Sequence, residues 1–335
     1  MIFGNLVFEG FKNNDCFNPD ARDNCFQPFI SLRNELKKHD IEINTSDLNQ
    51  DNVVSFEIHI DEHISNYPNV PKFLFLWESP NVLRRNSLLN KNHYYKIFTW
   101  DDELINLNGY TKFHIPVASN ILNEVPDFRD REGFSCAIWA NKYPVIKNEN
   151  DLYGERRKLN KWFEKNAPQD FDLYGKGWED LISNKSLASK LFNILLSKLG
   201  IKGQTFRNVY KGTIDSKLAT LKKYKYSFCY ENIHGVDGYV SEKIFDSMFA
   251  GCVPIYWGAG NISSYIPEEC FIDRRKFTSN KNIYDYLKSI DGRTYASYQQ
   301  AISSFLSSEG FQKYTPKYFA ENITYEIIGG LNDYS

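Results

Sequence analysis

Between Glu231 and Lys243 the chain gathers carboxylates, an amide, an imidazole, a phenol and an ammonium group between apolar segments. The surrounding run from Tyr224 to Gly258, YKYSFCYENIHGVDGYVSEKIFDSMFAGCVPIYWG, reads as three elements. Tyr224 to Tyr230 has the pattern of a buried strand, Ser241 to Ala250 of a helix with Ile244, Met248 and Phe249 on one face, and Val253 to Trp257 of a second buried strand. The loop before the helix, Glu231-Asn232-Ile233-His234-Gly235-Val236-Asp237-Gly238-Tyr239, carries glycines that let a backbone approach a ligand. Ser241 fits the N-cap position, which puts Glu242 and Lys243 in the first turn. A carboxylate at a helix start suits the dipole, whereas a lysine there opposes it and calls for a compensating anion, of which phosphate is the natural candidate. The bland alternative is a solvated Glu–Lys pair on a helix surface.

Two further positions carry groups suited to the same chemistry. Glu78 follows the strand-like run Lys72 to Trp77 and precedes Ser79-Pro80-Asn81-Val82, a turn that would hold the carboxylate at the rim of a cleft as a proton acceptor. Its bland reading is a loop salt bridge. Glu155-Arg156-Arg157-Lys158-Leu159 opens a helical pattern, and an arginine fork there could hold two phosphate oxygens at once. A basic, solvated helix face has the same composition.

The elements that must position these groups alternate along the chain. Phe26 to Lys38 reads as an amphipathic helix with Phe29, Leu32 and Leu36 on one side, and Val53 to Ile60, Lys72 to Trp77 and Tyr110 to Val117 read as strands. The polar, turn-rich segment Pro126 to Gly133 marks a boundary, giving domains 1–128 and 129–335. Beyond it Phe134 to Ala140 is a strand, Glu155 to Glu164 a helix and Phe171 to Tyr174 a strand closed by Gly175 and Gly177. Tyr284 to Ile290, Tyr298 to Leu306 and Lys317 to Ile328 read as helices packed across the second domain and back toward the first. A chain of 335 residues suits two such α/β domains facing a cleft.

The motif from Lys225 to Gly258 resembles the donor-sugar motif of the α1,3/4-fucosyltransferases, glycosyltransferase family ten. There an aromatic strand ends in Phe/Tyr-Glu-Asn and is followed by Tyr-Val-Thr/Ser-Glu-Lys and then Val/Ile-Pro-Ile/Val-Tyr-Trp-Gly. Weaker echoes extend back to about Phe73; the first sixty and last fifty residues carry no matching motif. The resemblance implies the GT-B architecture, two Rossmann-like domains with C-terminal helices. It implies an inverting transfer of L-fucose from GDP-fucose to the 3- or 4-hydroxyl of a GlcNAc or Glc residue in a glycan or lipopolysaccharide. Glu78 is then the catalytic base. Asn141, Arg156, Asn232, Tyr239, Glu242 and Lys243 bind the donor, with Arg157 an alternative to Arg156. Asn141 corresponds to the asparagine that shapes the phosphate loop, and Glu242 is placed for ribose or sugar hydroxyls. The loop from Asn232 to Tyr239 is one residue longer than in some bacterial relatives, which leaves the register of Asn232, His234 and Asp237 open. Two rival readings stay open as well, namely another GDP-activated deoxy sugar as donor and an inactive carbohydrate-binding protein.

Composition limits the partners. Lys+Arg 40 against Asp+Glu 42 gives a net charge of −2, so no overall field attracts nucleic acid and any anion site is local. No apolar run reaches the ~20 residues of a membrane span and the first residues lack a signal-peptide pattern. The expectation is a cytoplasmic protein, with peripheral association at the inner face of the membrane compatible with it. The six cysteines fall singly and read as free thiols. No metal is expected to be required, a divalent ion such as manganese or magnesium being at most stimulatory. Asp170-Phe171-Asp172 and the pair His59 and His63 are the nearest approaches to a ligand set, and both read as structural.

Overall fold

A computed structural model of the chain describes residues 1–334, apart from residues 62, 66, 80–81, 84–89, 119–123, 145–148, 180–186 and 200–205. Two all-parallel sheets organise it. The first contains β1 (Ile2–Phe8), β2 (Ile41–Thr45), β3 (Val54–Ile60), β4 (Lys72–Leu76), β5 (Lys96–Thr99) and β6 (Tyr110–Lys112) in the order β2-β1-β3-β4-β5-β6. The second contains β7 (Gly133–Ile138), β8 (Phe171–Tyr174), β9 (Tyr224–Tyr230), β10 (Val253–Trp257) and β11 (Ile272–Asp273) in the order β11-β10-β9-β7-β8. Each sheet begins at one strand, steps back once and then runs the other way. Each therefore has a switch point, β1/β3 in the first and β7/β9 in the second, beyond whose carboxyl ends open α/β sheets bind ligands.

The helices are α1 (Gln27–Lys37), α2 (Asp102–Ile105), α3 (Tyr153–Asn166), α4 (Leu187–Lys198), α5 (Lys217–Leu221), α6 (Glu242–Phe249), α7 (Asn280–Ser289), α8 (Gly292–Leu306), α9 (Glu309–Gln312) and α10 (Pro316–Tyr334). Buried parallel strands need helices on their faces. Phe29, Leu32 and Leu36 of α1 cover Leu6, Phe56 and Ile58, while Leu159 and Phe163 of α3 cover Phe171, Leu173 and Phe228. Each such side chain contributes about 1.5–3 kcal/mol by leaving water.

Two expectations change. The expected strand from Tyr110 to Val117 pairs only as far as Lys112, opposite Thr99 where β5 ends; after Phe113 N–H donates to the Thr99 carbonyl at 2.9 Å the chain leaves the sheet, and Val117 N–H donates to the Tyr314 carbonyl at 2.8 Å. The last helix does more than touch the first domain. Phe319, Ala320, Ile323 and Ile327 of α10 lie in one core with α1 and the first sheet, so residues 316–334 pack with the first domain although they follow the second in sequence.

Candidate active site

The base candidate comes from the first domain. β4 is buried throughout, and as it ends the backbone N–H groups of Trp77 and Glu78 both donate to Asp61 Oδ1, at 2.9 and 3.0 Å. Asp61 follows β3, so two neighbouring strand ends fix where Glu78 points. Pro80 and Asn81 of the expected turn lie outside the described residues. Burial raises the Glu78 carboxyl above the usual glutamate range, Lys243 opposes that rise, and Asp61 and Glu242 add to it. Lys243 and Glu242 belong to the second domain, so the Glu78 carboxyl is influenced by charges at the start of α6.

The donor side is built on β9 and α6. Ser241 caps α6 by accepting from the Lys243 N–H, as its position in the sequence implies. Its Oγ donates to Glu231 at 2.8 Å, and its N–H donates to Glu231 Oε1 at 3.0 Å. Glu231 is fully buried and also holds Lys243 Nζ at 3.0 Å. Charges then alternate along the start of α6. Lys243 lies 3.8 Å from Glu242 Oε1, Glu242 lies 3.9 Å from Lys217, and Lys217 holds Asp246 at 2.7 Å. Burial would lower the Lys243 ammonium pKa, but Glu231 and Glu242 outweigh it and hold the group charged. Burial would likewise raise Glu242, yet Lys243 and Lys217 pull it down to about 2. The solvated-pair reading fails here, because Lys243 is tied to a buried carboxylate.

Arg156 and Arg157 separate clearly. Arg156 is 4% exposed and donates to the Tyr230 carbonyl at 2.6 Å and to Asn232 Oδ1 at 3.2 Å, with its guanidinium 4.9 Å from the Tyr153 ring. Its Nε is buried without a hydrogen-bond partner among the described residues. Arg157 turns the other way, to Asn141 Oδ1 at 3.3 Å and onto the Tyr143 ring at 3.6 Å. Asn141 is pinned on its other side, Nδ2 donating to the Gly177 carbonyl at 2.9 Å, so it ties the loop after β7 to the loop after β8.

The register of the loop from Asn232 to Tyr239 follows from its contacts. The segment 150–152 runs against it, with Leu152 N–H donating to Asn232 and His234 N–H to Asn150. Asn232 Nδ2 reaches the Tyr239 hydroxyl at 3.3 Å, so Asn232 faces Arg156 and Tyr239, while His234 lies on Trp257 at 5.4 Å. Gly238, at φ 84°, comes so close to the first domain that a Cβ would meet the Trp100 carbonyl at 2.2 Å. That glycine serves contact between domains. Tyr239 packs 4.5 Å from the Trp100 ring, and Asp102 accepts from Tyr265 at 2.6 Å and from Asn261 at 2.8 Å across the same seam.

Six of the seven expected residues therefore converge, namely Glu78, Arg156, Asn232, Tyr239, Glu242 and Lys243, with Asn141 one layer behind through Arg157. Sequence reasoning missed Glu231, Lys217, Tyr153 and Trp100. Glu231 stands inside the recognised motif and could have been found as a carboxylate ending a buried strand beside a lysine-bearing helix start; the other three carry no local pattern. Asp170 holds Tyr284 and Lys288, and Asp172 holds Tyr224, at the amino-terminal end of β8 and away from this site. His59 and His63 are engaged separately, by Glu57 and by the Ile60 carbonyl. Among the described residues no group of three or more His, Cys, Asp or Glu side chains could hold a metal ion.

Comparison with known proteins bears on the same region. Residues 180–315 match the family model for the C-terminal part of glycosyltransferase family 10 (fucosyltransferase). Over that stretch the chain is similar to family 10. An α-(1,3)-fucosyltransferase of Helicobacter pylori is 28% identical over 196 residues, covering 55% of this chain and 40% of that protein. An α-(1,4)-fucosyltransferase of Arabidopsis thaliana is 32% identical over 123 residues, 36% of this chain and 30% of the relative. The chain thus spans well under two thirds of the length of these curated relatives. A crystal structure of an α1,3-fucosyltransferase with GDP superposes with a TM-score of 0.55 at 14% identity, covering 99% of this chain and 90% of that one. The shared fold is GT-B, two parallel α/β domains meeting at their switch points. The family-10 match covers the charge ladder on α6 and the loop that presents Asn232 and Tyr239, whereas Glu78, Asn141 and Arg156 lie ahead of it.

Proposed function

We propose that this chain is an inverting glycosyltransferase that moves L-fucose from GDP-fucose to the 3- or 4-hydroxyl of a GlcNAc or Glc residue in a glycan. The observation that carries the reading is the run of contacts from the strand end that bears Glu78 to the second domain: Trp100 Nε1 donates to the Trp77 carbonyl, its ring packs on Tyr239, and Tyr239 meets Asn232, which holds Arg156, while Lys243 acts on the Glu78 carboxyl. In this reading the diphosphate lies at the start of α6, where helix N–H groups, Lys243 and Arg156 stabilise the charge that grows as it departs. Glu78 takes the proton from the acceptor hydroxyl as the oxygen attacks the anomeric carbon from the face opposite GDP. One C–O bond forms as the sugar–phosphate bond breaks, so the configuration inverts in a single displacement. Burial suits Glu78 to this task, since it strengthens the carboxylate as a base. Glu242, held ionised, accepts hydroxyls of ribose or fucose.

The similarity to α-(1,3)- and α-(1,4)-fucosyltransferases supports the sugar and the linkage, and the similarity to an α1,3-fucosyltransferase structure with GDP supports the nucleotide. The deciding experiment supplies labelled GDP-fucose, a second GDP-activated deoxy sugar and a glycan array. Transfer of fucose to GlcNAc- or Glc-bearing glycans is expected. Faster transfer from the other donor would replace the proposed sugar, and GDP binding with no transfer to any glycan would leave a binding protein.

A further inference from the structure

Between β8 and β9 the chain makes an excursion whose helix, α4, turns an apolar face to solvent. Leu191, Ile194, Leu195 and Leu199 recur at the i, i+3, i+4, i+8 spacing of one helix face, and Phe192 flanks them. All five are exposed, Leu191 and Leu199 to 66%. On an ordinary surface helix this stripe would lie against the core. Solitary exposed apolar residues need no explanation, but four on one short helix and a fifth just past its end make a contiguous patch of the kind that marks an interaction surface.

The charge around the stripe indicates what covers it. From Leu181 to Ile214 the chain has no Asp or Glu, yet it holds Lys185, Lys190, Lys198, Lys202, Arg207 and Lys211. This is a local departure from a chain that is nearly neutral overall. Lys198, on the helix itself, and Arg207, on the returning part of the excursion, are both exposed. Glu179 and Asp180 open the excursion ahead of the helix, so six cations stand against two carboxylates and the segment is net cationic. An apolar stripe within such a segment is complementary to a surface that offers hydrocarbon beneath anionic headgroups. At 12 residues α4 is far too short to span a bilayer, so it would lie in the interface plane. The excursion leaves β8 at its carboxyl end, after Gly177, whose carbonyl Asn141 holds. It returns where Lys211 N–H donates to the Leu173 carbonyl and Gly175 N–H to the Gly212 carbonyl. Its base is therefore fixed to the edge of the sheet at the end that carries the candidate site.

We infer that α4 is an interfacial membrane anchor, which seats the protein on a bilayer rich in anionic lipid through Leu191, Phe192, Ile194, Leu195 and Leu199 with Lys198 and Arg207 at the headgroups. This goes beyond the proposed reaction and stands without it.

The test uses the full chain and extruded vesicles, either pure phosphatidylcholine or phosphatidylcholine with roughly 30 mol% phosphatidylglycerol. Sedimentation should show binding to the anionic vesicles that falls as salt rises, with little binding to the neutral ones. Leu195→Glu with Leu199→Glu should weaken partition at least about tenfold, because both insert charge into the apolar stripe. Lys198→Glu with Arg207→Glu should weaken it on anionic vesicles alone. These side chains are exposed, so circular dichroism, melting temperature and GDP affinity should not change. Absence of binding to anionic vesicles, or undiminished binding by the leucine variant, would overturn the inference. A lipid-free dimer that the leucine variant dissolves, seen by light scattering, would also overturn it by giving the stripe to a second copy of the chain.

Discussion

Lys243 Nζ sits 3.0 Å from Glu231 Oε2, and the carboxylate it meets is fully buried. The pair resolves a conflict set by the sequence. A lysine in the first turn of a helix is repelled by the dipole, and an isolated buried carboxylate is costly. Placed together, with the Ser241 N–H and Oγ completing the carboxylate's hydrogen bonds, each removes the other's penalty. The ammonium is thereby held at the helix start before any diphosphate arrives. A preorganised cation of this kind reorganises little as charge develops.

Replacing Lys243 by alanine should weaken GDP binding by about 1.5–3 kcal/mol, the range of a charge-assisted contact. It should also destabilise the fold by about 3–5 kcal/mol, because Glu231 is left buried without its cation. Lys243→Met together with Glu231→Gln removes both charges and should recover stability while GDP stays weak. Calorimetry with GDP and thermal melts on the same preparations separate the two effects. A double variant with wild-type GDP affinity would remove Lys243 from the donor site.

Glu78→Gln should keep fold and GDP affinity while lowering turnover by about 10²–10⁴, the usual range for loss of a general base. The pH profile supplies an independent check. Burial raises the Glu78 pKa, so proton abstraction should switch on as pH rises through a value above that of ordinary glutamate. The same shift means that any stability Glu78 contributes is present below its unfolded pKa and fades as pH rises through the folded one. Activity and stability should therefore move in opposite directions across this limb. A Glu78→Gln variant that melts lower but turns over normally would identify Glu78 as a structural partner. Asp102 would not inherit the role, since it is engaged by Lys112, Tyr265 and Asn261.

Transfer should persist in excess EDTA, because Lys243 and Arg156 are placed to supply the positive charge that a metal supplies elsewhere. Rates with EDTA and with added manganese check this. Activity abolished by EDTA and restored by manganese would show that these cations do not suffice.

Much of this arrangement was legible in the sequence, and what was not has a common cause. The strands β8, β9 and β10 have the bounds that their apolar runs indicate, and Ser241 caps the helix it appeared to cap, because burial period and capping chemistry are local. The choice between Arg156 and Arg157 was open because adjacent helix positions differ only in direction. Their tertiary partners differ, Tyr230 and Asn232 for Arg156 and Asn141 and Tyr143 for Arg157, and this difference supports Arg156 in the proposed donor site. Lys217 and Trp100 left no local trace, since each acts on groups distant in sequence. The docking of α10 onto the first sheet was missed in extent because periodicity names a buried face but not what buries it.

Trp100 joins the two halves of the site through one side chain. Its Nε1 donates to the Trp77 carbonyl, immediately before Glu78, at 3.1 Å, and its ring packs 4.5 Å from Tyr239. The first contact fixes the strand end that carries Glu78 and the second the loop that carries Asn232 and Tyr239, so substitutions can separate them. Trp100→Phe keeps an aromatic surface for Tyr239 but deletes the N–H, which is worth about 1 kcal/mol when both partners are neutral. Turnover should therefore fall about fivefold with GDP affinity and the donor KM unchanged. Trp100→Leu also removes the ring contact, opens a cavity beside Tyr239 and should raise the donor KM in addition. Steady-state kinetics and GDP calorimetry on both variants check the split. If Trp100→Phe lowered GDP affinity and turnover by the same factor, the residue would support the fold of the seam as a whole and would not position Glu78.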